Sequence, residues 1–298
     1  MLEYCTMKIG YPCINSSIGC TANHTFRLAS YSEKRFIETV AENIACLDKI
    51  LRFNLENNIM FFRIGSDLVP FASHPVCTFN WVSFFQKDFK KIGDFTKKHG
   101  MRISMHPDQF VLINAIKEEI VQKSVSELQY HRKVLDAMGL DQDAKIQIHV
   151  GGVYGDKASA IERFAYNYKL LDTKTKKRLV IENDDRLYSL KDCLEVHRKT
   201  SVPVLFDCFH HECLNNNESL RKAVLLAHRT WKKKDGCPLL DYSEQAKNKR
   251  SGAHAASINI RKFKKFLEVI SGIDFDIMLE IKDKEKSALK AVQLLKSG

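Results

Sequence analysis

Histidines and carboxylates lie at or just after a series of short apolar segments in the 298-residue chain. The series comprises His106, His149, Glu182, Asp207, His210, Asp241, His254 and Glu280. One such residue alone is usually structural, as a hydrogen-bonded histidine or a helix cap. Several carboxylates brought together could not all stay ionised at close range without cations. Mixed imidazole and carboxylate ligands suit zinc, manganese or iron rather than calcium, and their number predicts two or three ions.

The charge of the chain indicates what such a site would act upon. Lys+Arg number 47 against 36 Asp+Glu, a formal net charge of +11. This surplus fits a polyanionic partner such as nucleic acid, although a solvated basic surface explains it equally well. Clustered metal ions in a basic protein indicate phosphodiester hydrolysis, in which the ions activate water and stabilise developing charge. No serine or cysteine lies in a nucleophile-elbow motif, so covalent catalysis is not indicated.

Eight apolar segments of strand length could position these residues. They cover residues 7–12, 59–65, 101–107, 145–152, 178–184, 203–209, 238–243 and 276–282. Most are continuously apolar, as buried parallel strands require. Helical segments separate them, so the pattern predicts an α/β fold, a single (β/α)8 TIM barrel over residues 1–298, with its site at the carboxyl ends of the strands. A doubly wound open sheet is the alternative.

The predicted helices have the spacing and the end signals of amphipathic helices. They cover residues 32–57, 81–100, 118–139, 157–172, 189–200, 219–234, 260–272 and 284–297. Ser32 is a good N-cap for the first helix, and Gly100 is a good C-cap for the second. No Pro/Gly/Ser-rich linker and no internal repeat divides the chain.

The nine cysteines and the apolar segments predict where the protein works. No CxxC pair occurs, so we expect free thiols in a reducing compartment: Cys5, Cys13, Cys20, Cys46, Cys77, Cys193, Cys208, Cys213 and Cys237. No segment approaches the ~20 apolar residues of a membrane helix. The first residues, MLEYCTMKIGYP, lack the pattern of a signal peptide. We therefore expect a cytoplasmic protein without membrane contact.

Short motifs follow one another in order along nearly the whole chain. They are GYPCIN (10–15), FRIGSDLVPFASHP (62–75), ISMHPDQF (103–110), IQIHVGGVYGDK (146–157), IENDD (181–185), FDCFHH (206–211), DYSEQ (241–245), GAH (252–254) and LEIKDKE (279–285). Taken together, these motifs resemble those of the ultraviolet damage endonuclease (UVDE) family. The resemblance implies a TIM barrel related to endonuclease IV, with three manganese ions, or zinc or magnesium in their place. It also implies incision immediately 5′ of cyclobutane pyrimidine dimers and 6-4 photoproducts, and of abasic sites, leaving a 3′-hydroxyl and a 5′-phosphate.

The resemblance also implies roles for the metal-site residues. His106, His149 and Glu182 would hold one ion. Glu182 would bridge to a second ion shared with Asp207, Asp241 and Glu280, while His210 and His254 would hold the third. His74 would bind an ion or the scissile phosphate, although a loop-stabilising role is open. Many family members have Lys-x-His where this chain has Leu239-Leu240-Asp241, which makes Asp241 the least secure of the ligands.

A second set of residues resembles the lesion-recognition residues of the family. Gln109 and Phe110 would fill the gap left when a crosslinked pyrimidine pair leaves the helix, because a damaged pair stacks poorly. Tyr11 and Asn15 match residues that face the lesion, although Tyr11 could equally be a packing residue. We therefore expect the partner to be double-stranded DNA with ultraviolet lesions, bound by a monomer.

Two other functions are open at this point. A metal-dependent sugar isomerase or epimerase uses the same barrel and similar ligands, but it would not need so many of them. A non-catalytic nucleic-acid binder would explain the basic charge, but its acidic cluster would repel phosphate unless it held metal.

Overall fold

Eight parallel strands close into one barrel in the computed structural model, which describes residues 7–296. The strands are β1 (Ile9–Pro12), β2 (Phe61–Ile64), β3 (Arg102–Met105), β4 (Lys145–His149), β5 (Leu179–Glu182), β6 (Val204–Asp207), β7 (Leu239–Tyr242) and β8 (Asp276–Leu279). Each strand pairs with the next along the chain, and β1 pairs with β8. The predicted TIM barrel is confirmed, and the open sheet is excluded because no strand edge is left unpaired in this sheet.

Helices surround the barrel on the outside. Within residues 7–296 they are α1 (Glu33–Glu56), α2 (Trp81–Phe84), α3 (Gln86–Lys98), α4 (Glu118–Ala137), α5 (Lys157–Tyr168), α6 (Thr173–Arg178), α7 (Leu190–Thr200), α8 (Cys208–Cys213), α9 (Leu220–His228), α10 (Ile260–Val269) and α11 (Glu285–Lys296). Ser32 caps α1 as expected, since its side chain accepts from the backbone N–H of Arg35. Residues 1–6 and 297–298 lie outside the described part, so one domain over residues 1–298 stays a prediction.

Two parts of the helix prediction were wrong. The segment 81–100 was predicted as one helix but forms α2 and α3, which are separated at Phe85 (φ −94°, ψ 15°). Trp81, Phe85 and Phe89 are all buried in the core. The short helices α6 and α8 were not predicted, because α6 leads directly into β5 and α8 directly follows β6.

The expectation that all cysteines are free thiols was also wrong. Cys20 and Cys46 form a disulfide that links the loop after β1 to α1. Cys13, Cys77, Cys193, Cys208, Cys213 and Cys237 are free, and Cys5 lies outside the described residues. The pairing could not be read from the sequence because the two partners are 26 positions apart.

Charged side chains at the amino-terminal end of the barrel are paired with one another. Arg102 lies 2.8 Å from Asp276, and Lys145 lies 2.9 Å from Asp235. Buried charges need such partners, so these pairs are structural. At the carboxyl end, the strand register sets His149 beside Glu182 and Asp207 beside Asp241.

No helix within residues 7–296 is long and apolar enough to cross a membrane.

Candidate metal centre

Seven of the predicted metal ligands converge at the carboxyl end of the barrel. They form three overlapping groups, in each of which the ligand atoms lie within 4.8 Å of one another. The groups are His106–His149–Glu182, then Glu182–Asp207–His210, and lastly Asp207–Asp241–Glu280. His254 lies beside them, with its ring centre 6.1 Å from that of His210, but belongs to none of the three.

Glu182 is the central carboxylate because it belongs to two of these groups. It ends β5, is buried, and faces three imidazoles. His106 Nε2 lies 3.4 Å, His149 Nε2 3.9 Å and His210 Nδ1 3.0 Å from its oxygens. Burial works against the charged form, but these imidazoles, with His149 foremost, hold the pKa of Glu182 well below its usual range. Glu182 therefore stays ionised and able to bind a cation.

Backbone carbonyls orient three of the histidines. His106 Nδ1 lies 2.8 Å from the carbonyl oxygen of Pro107, His254 Nδ1 lies 2.8 Å from that of Glu280, and His210 Nδ1 lies 3.0 Å from that of Asn183. A carbonyl can only accept, so Nδ1 carries the proton in these three rings. Nε2 is then the free ligand atom, as in most metal-binding histidines.

The buried carboxyls show that the residues fit divalent cations. Asp207 ends β6, and its Oδ2 atom is buried without a hydrogen-bond partner. Burial raises the pKa of Asp207 to about 7 and also raises that of Asp241. Burial lowers the pKa of His210, but Asp207 and Glu182 outweigh this and raise it to about 11. The pocket thus attracts positive charge, which suits imidazole- and carboxylate-bound metals.

Sequence reasoning missed two residues below the ligands, Arg63 on β2 and Gln147 on β4. Arg63 Nη2 donates to both carboxylate oxygens of Asp241, at 2.7 and 2.8 Å, and Nη1 donates to Glu280. Gln147 donates to Asp241 at 2.8 Å and also to Glu182. The signal was present, because an arginine inside the apolar strand FFRI must find a buried partner.

A cavity of about 840 Å³ opens above the ligands. His106, His149, His254 and Glu280 line its floor, and Gln109 and Phe110 line its rim. Phe110 is 76% exposed, although it follows a buried strand. Arg250, Lys282 and Lys284 also line the cavity, so its wall carries positive charge.

The remaining predicted site residues lie elsewhere. His74 is exposed and lines a neighbouring cavity of about 740 Å³, which shares Asp108 and Phe110 with the first. Its Nδ1 accepts from the backbone N–H of Val76 at 3.0 Å. Tyr11 and Asn15 are buried, so the structure does not place them where a lesion could touch them.

Tyr11 and Asn15 support the loop after β1 from inside. The Tyr11 hydroxyl donates to Asn54 at 2.7 Å and accepts from the Asn15 amide at 2.8 Å. Its ring packs edge-on against Phe62 at 5.2 Å. These contacts fit the packing role that was left open for Tyr11 on the sequence alone.

Comparison with known proteins gives a consistent result across the chain. The family model for UV-endonuclease UvdE matches residues 7–297. A UV DNA damage endonuclease of Clostridium perfringens (strain 13 / Type A) is 42% identical over 97% of this chain and 71% of that protein. One of Bacillus cereus (strain 03BB102) is 36% identical over 89% of this chain and 84% of its own length.

Solved structures agree with this. The crystal structure of SacUVDE has a TM-score of 0.94 at 46% identity, covering 98% of both chains. Endonuclease IV from Thermus thermophilus has a TM-score of 0.60 at 14% identity, over 84% of this chain and 92% of its own. A D-psicose 3-epimerase from Clostridium cellulolyticum H10 has a TM-score of 0.55 at 12% identity, over 84% and 91%. The last two show the fold alone, whereas the family model and the relatives above 30% identity show that the chain belongs to the UV-endonuclease UvdE family.

Proposed function

We propose that the protein is a metal-dependent nuclease of DNA repair that hydrolyses the phosphodiester immediately 5′ of ultraviolet lesions. Cyclobutane pyrimidine dimers and 6-4 photoproducts are the proposed substrates, with abasic sites in addition. The observation that supports this best is the set of overlapping ligand groups around Glu182, beneath an open cavity with a basic wall. Family membership gives the reaction class, and the ligand groups give the chemistry.

The ligand groups would hold divalent ions, for which Mn²⁺ is our first choice and Zn²⁺ or Mg²⁺ are alternatives. Bound ions would lower the pKa of a water molecule and stabilise the charge on the phosphate and the leaving oxygen. The proposed ligands are His106, His149, Glu182, Asp207, His210, Asp241 and Glu280, with His254 beside them. The three groups could hold up to three ions.

Glu182 is the proposed catalytic residue, because its two oxygens face different imidazoles. Oε2 faces His106 and His149, while Oε1 faces His210. A carboxylate placed in this way can hold two ions at a fixed separation. The Gln147 amide, which donates to Oε2, keeps the carboxylate from rotating.

DNA binding would involve the rim and the basic wall of the cavity. Arg250, Lys282 and Lys284 can contact phosphates, which contributes affinity but no lesion specificity. Gln109 and Phe110 stand out from the rim and can enter the gap left by an extruded lesion. His74 lies on the far side of Phe110, where it can contact the backbone near the scissile phosphate. We propose that the protein acts on double-stranded DNA as a monomer.

Nicking of irradiated plasmid tests the proposal. Metal-free protein supplied with Mn²⁺ should convert supercoiled irradiated plasmid to the open circle and leave unirradiated plasmid intact. Omission of Mn²⁺ is the first control, and Glu182→Ala is the second. Equal nicking of both plasmids would exclude lesion specificity. Turnover of ketoses without any nicking would instead favour a sugar epimerase.

A further inference from the structure

Arg63 places a fixed positive charge inside the third ligand group. It lies in the middle of β2, its side chain is 2% exposed, and it points into the barrel. Its guanidinium binds Asp241 through both carboxylate oxygens and also binds Glu280. Two of the three carboxylates of the group Asp207–Asp241–Glu280 are therefore already paired with a cation.

The hydrogen bonds of Asp241 leave little room for a metal. Oδ1 accepts from Arg63 at 2.7 Å, and Oδ2 accepts from Arg63 at 2.8 Å and from Gln147 at 2.8 Å. A metal on either oxygen would lie next to the guanidinium, and the two positive charges would repel each other. Arginine keeps its proton in proteins, so Arg63 stays a cation.

The other two ligand groups contain no such cation. Among the described residues, the side chains that form ion pairs with Glu182 and Asp207 are histidines. Histidines can give up their proton and bind a metal, whereas arginine cannot. These two groups share Glu182, so they fit two ions on one bridging carboxylate.

Gln147 links the arginine to that bridging carboxylate. Its carbonyl oxygen accepts from Arg63 at 2.6 Å, and its amide donates to Asp241 and to Glu182. The chain Arg63–Gln147–Glu182 therefore positions Glu182 from below. Because Arg63 is linked to Glu182 through Gln147, its role is that of a positioning residue.

We propose that this protein holds two divalent ions, bridged by Glu182, and that Arg63 takes the place of a third ion with Asp241 as its counter-ion rather than a metal ligand. The proposal rests on the metal dependence proposed above. It changes the role of Asp241 from ligand to support, and it assigns a role to Arg63 and Gln147.

Counting the ions tests this. Metal-free protein is titrated with Mn²⁺, bound ions are counted by calorimetry and by loss of the free Mn²⁺ paramagnetic resonance signal, and the total is checked by elemental analysis. The wild type should bind two ions per chain. Asp241→Asn should also bind two, because an amide oxygen can still accept from Arg63. Three ions in the wild type, or the loss of one in Asp241→Asn, would overturn the proposal.

Variants of Arg63 give the reciprocal test. Arg63→Gln should bind one ion more than the wild type, because Asp241 and Glu280 lose their cation, and Mn²⁺ should raise its melting temperature more than that of the wild type. Arg63→Lys is the matched control and should stay at two ions. A folded Arg63→Gln that binds only two would contradict the idea. If Arg63→Gln does not fold, the wild type and Asp241→Asn decide.

Nicking assays on the same samples keep the two proposals apart. Two bound ions without nicking of irradiated DNA would leave the role of Arg63 standing and overturn the nuclease proposal. Nicking of irradiated DNA alone, with three bound ions, would support the nuclease proposal and overturn the role of Arg63.

Discussion

Phe110 offers the sharpest test of lesion recognition because its exposure separates binding from folding. The side chain is 76% exposed on the rim of the metal-site cavity. Phe110→Ala should weaken binding to a duplex with one pyrimidine dimer, while binding to the undamaged duplex should change little. The reason is that only the damaged duplex opens a gap cheaply enough for the ring to enter.

The structure allows the size of both effects to be worked out. A fully buried Phe removes about 200 Å² from water. Only about a quarter of Phe110 is buried, so the change should cost the fold no more than about 1 kcal/mol at ~25 cal/mol per Å². Stacking of an aromatic ring on a base contributes about 1–3 kcal/mol, which corresponds to an affinity loss of about 5- to 150-fold.

Fluorescence anisotropy with the two duplexes measures the effect, in a Glu182→Gln background that prevents incision. Tyr166→Ala is the matched control, because Tyr166 is 68% exposed but lies on α5, outside the barrel mouth. Phe110→Tyr keeps the ring and should retain discrimination. If Phe110→Ala discriminates between the two duplexes as well as the wild type does, the ring does not enter the lesion site.

Three further predictions concern catalysis and stability. Glu182→Gln should abolish nicking and keep the fold, because it removes a charge shared by two ligand groups; full activity in the plasmid assay would exclude the shared role. Burial lowers the pKa of His131 from 6.5 to about 4. Between these two pH values the imidazole is therefore protonated more often in the unfolded chain than in the folded protein. The contribution of His131 to stability is complete above pH 6.5 and is lost as the pH falls towards 4, by up to about 3 kcal/mol. Urea unfolding at several pH values should show this slope in the wild type and a smaller one in His131→Gln; equal slopes would refute it. Gly93→Ala would place a Cβ 1.6 Å from the carbonyl oxygen of Met138, and should lower the free energy of unfolding by about 1–3 kcal/mol; a raised melting temperature would show that α3 and α4 are less tightly packed than described.

Local patterns were sufficient for the barrel and for the convergence of most of the predicted ligands. The eight apolar segments match the eight strands, since parallel strands buried on both sides read as continuous apolar runs. The carboxyl ends of those strands then necessarily meet, which is why the sequence alone could group Glu182, Asp207 and Asp241. Whether these three residues are neighbours depends on the order of the strands in the barrel. That order followed from the alternation of strands and helices along the chain.

Local patterns could not show hydrogen-bond partners that lie far along the chain. Asp241 lies in a ligand group, as its spacing predicts, but its hydrogen bonds to Arg63 join residues 178 positions apart. Tyr11 matches a family motif, but its hydroxyl donates to Asn54 on α1. In both cases the residue type and its strand position follow from the sequence. The hydrogen bonds do not, because their partners are distant in the sequence.

Charge balance gives a physical reason for an arginine below the proposed metal site. When Glu182, Asp207, Asp241 and Glu280 are all ionised and the histidines are neutral, as metal binding requires, the four carboxylates and the guanidinium of Arg63 leave three negative charges. Two divalent ions would change this to a single positive charge, which matches the single negative charge of a phosphodiester. A third ion would leave a surplus of three positive charges and would hold the cleaved phosphate more tightly after the reaction. Under this proposal Arg63 neutralises Asp241 and Glu280 with a charge that cannot dissociate, and the two ions at Glu182 would be left to the substrate.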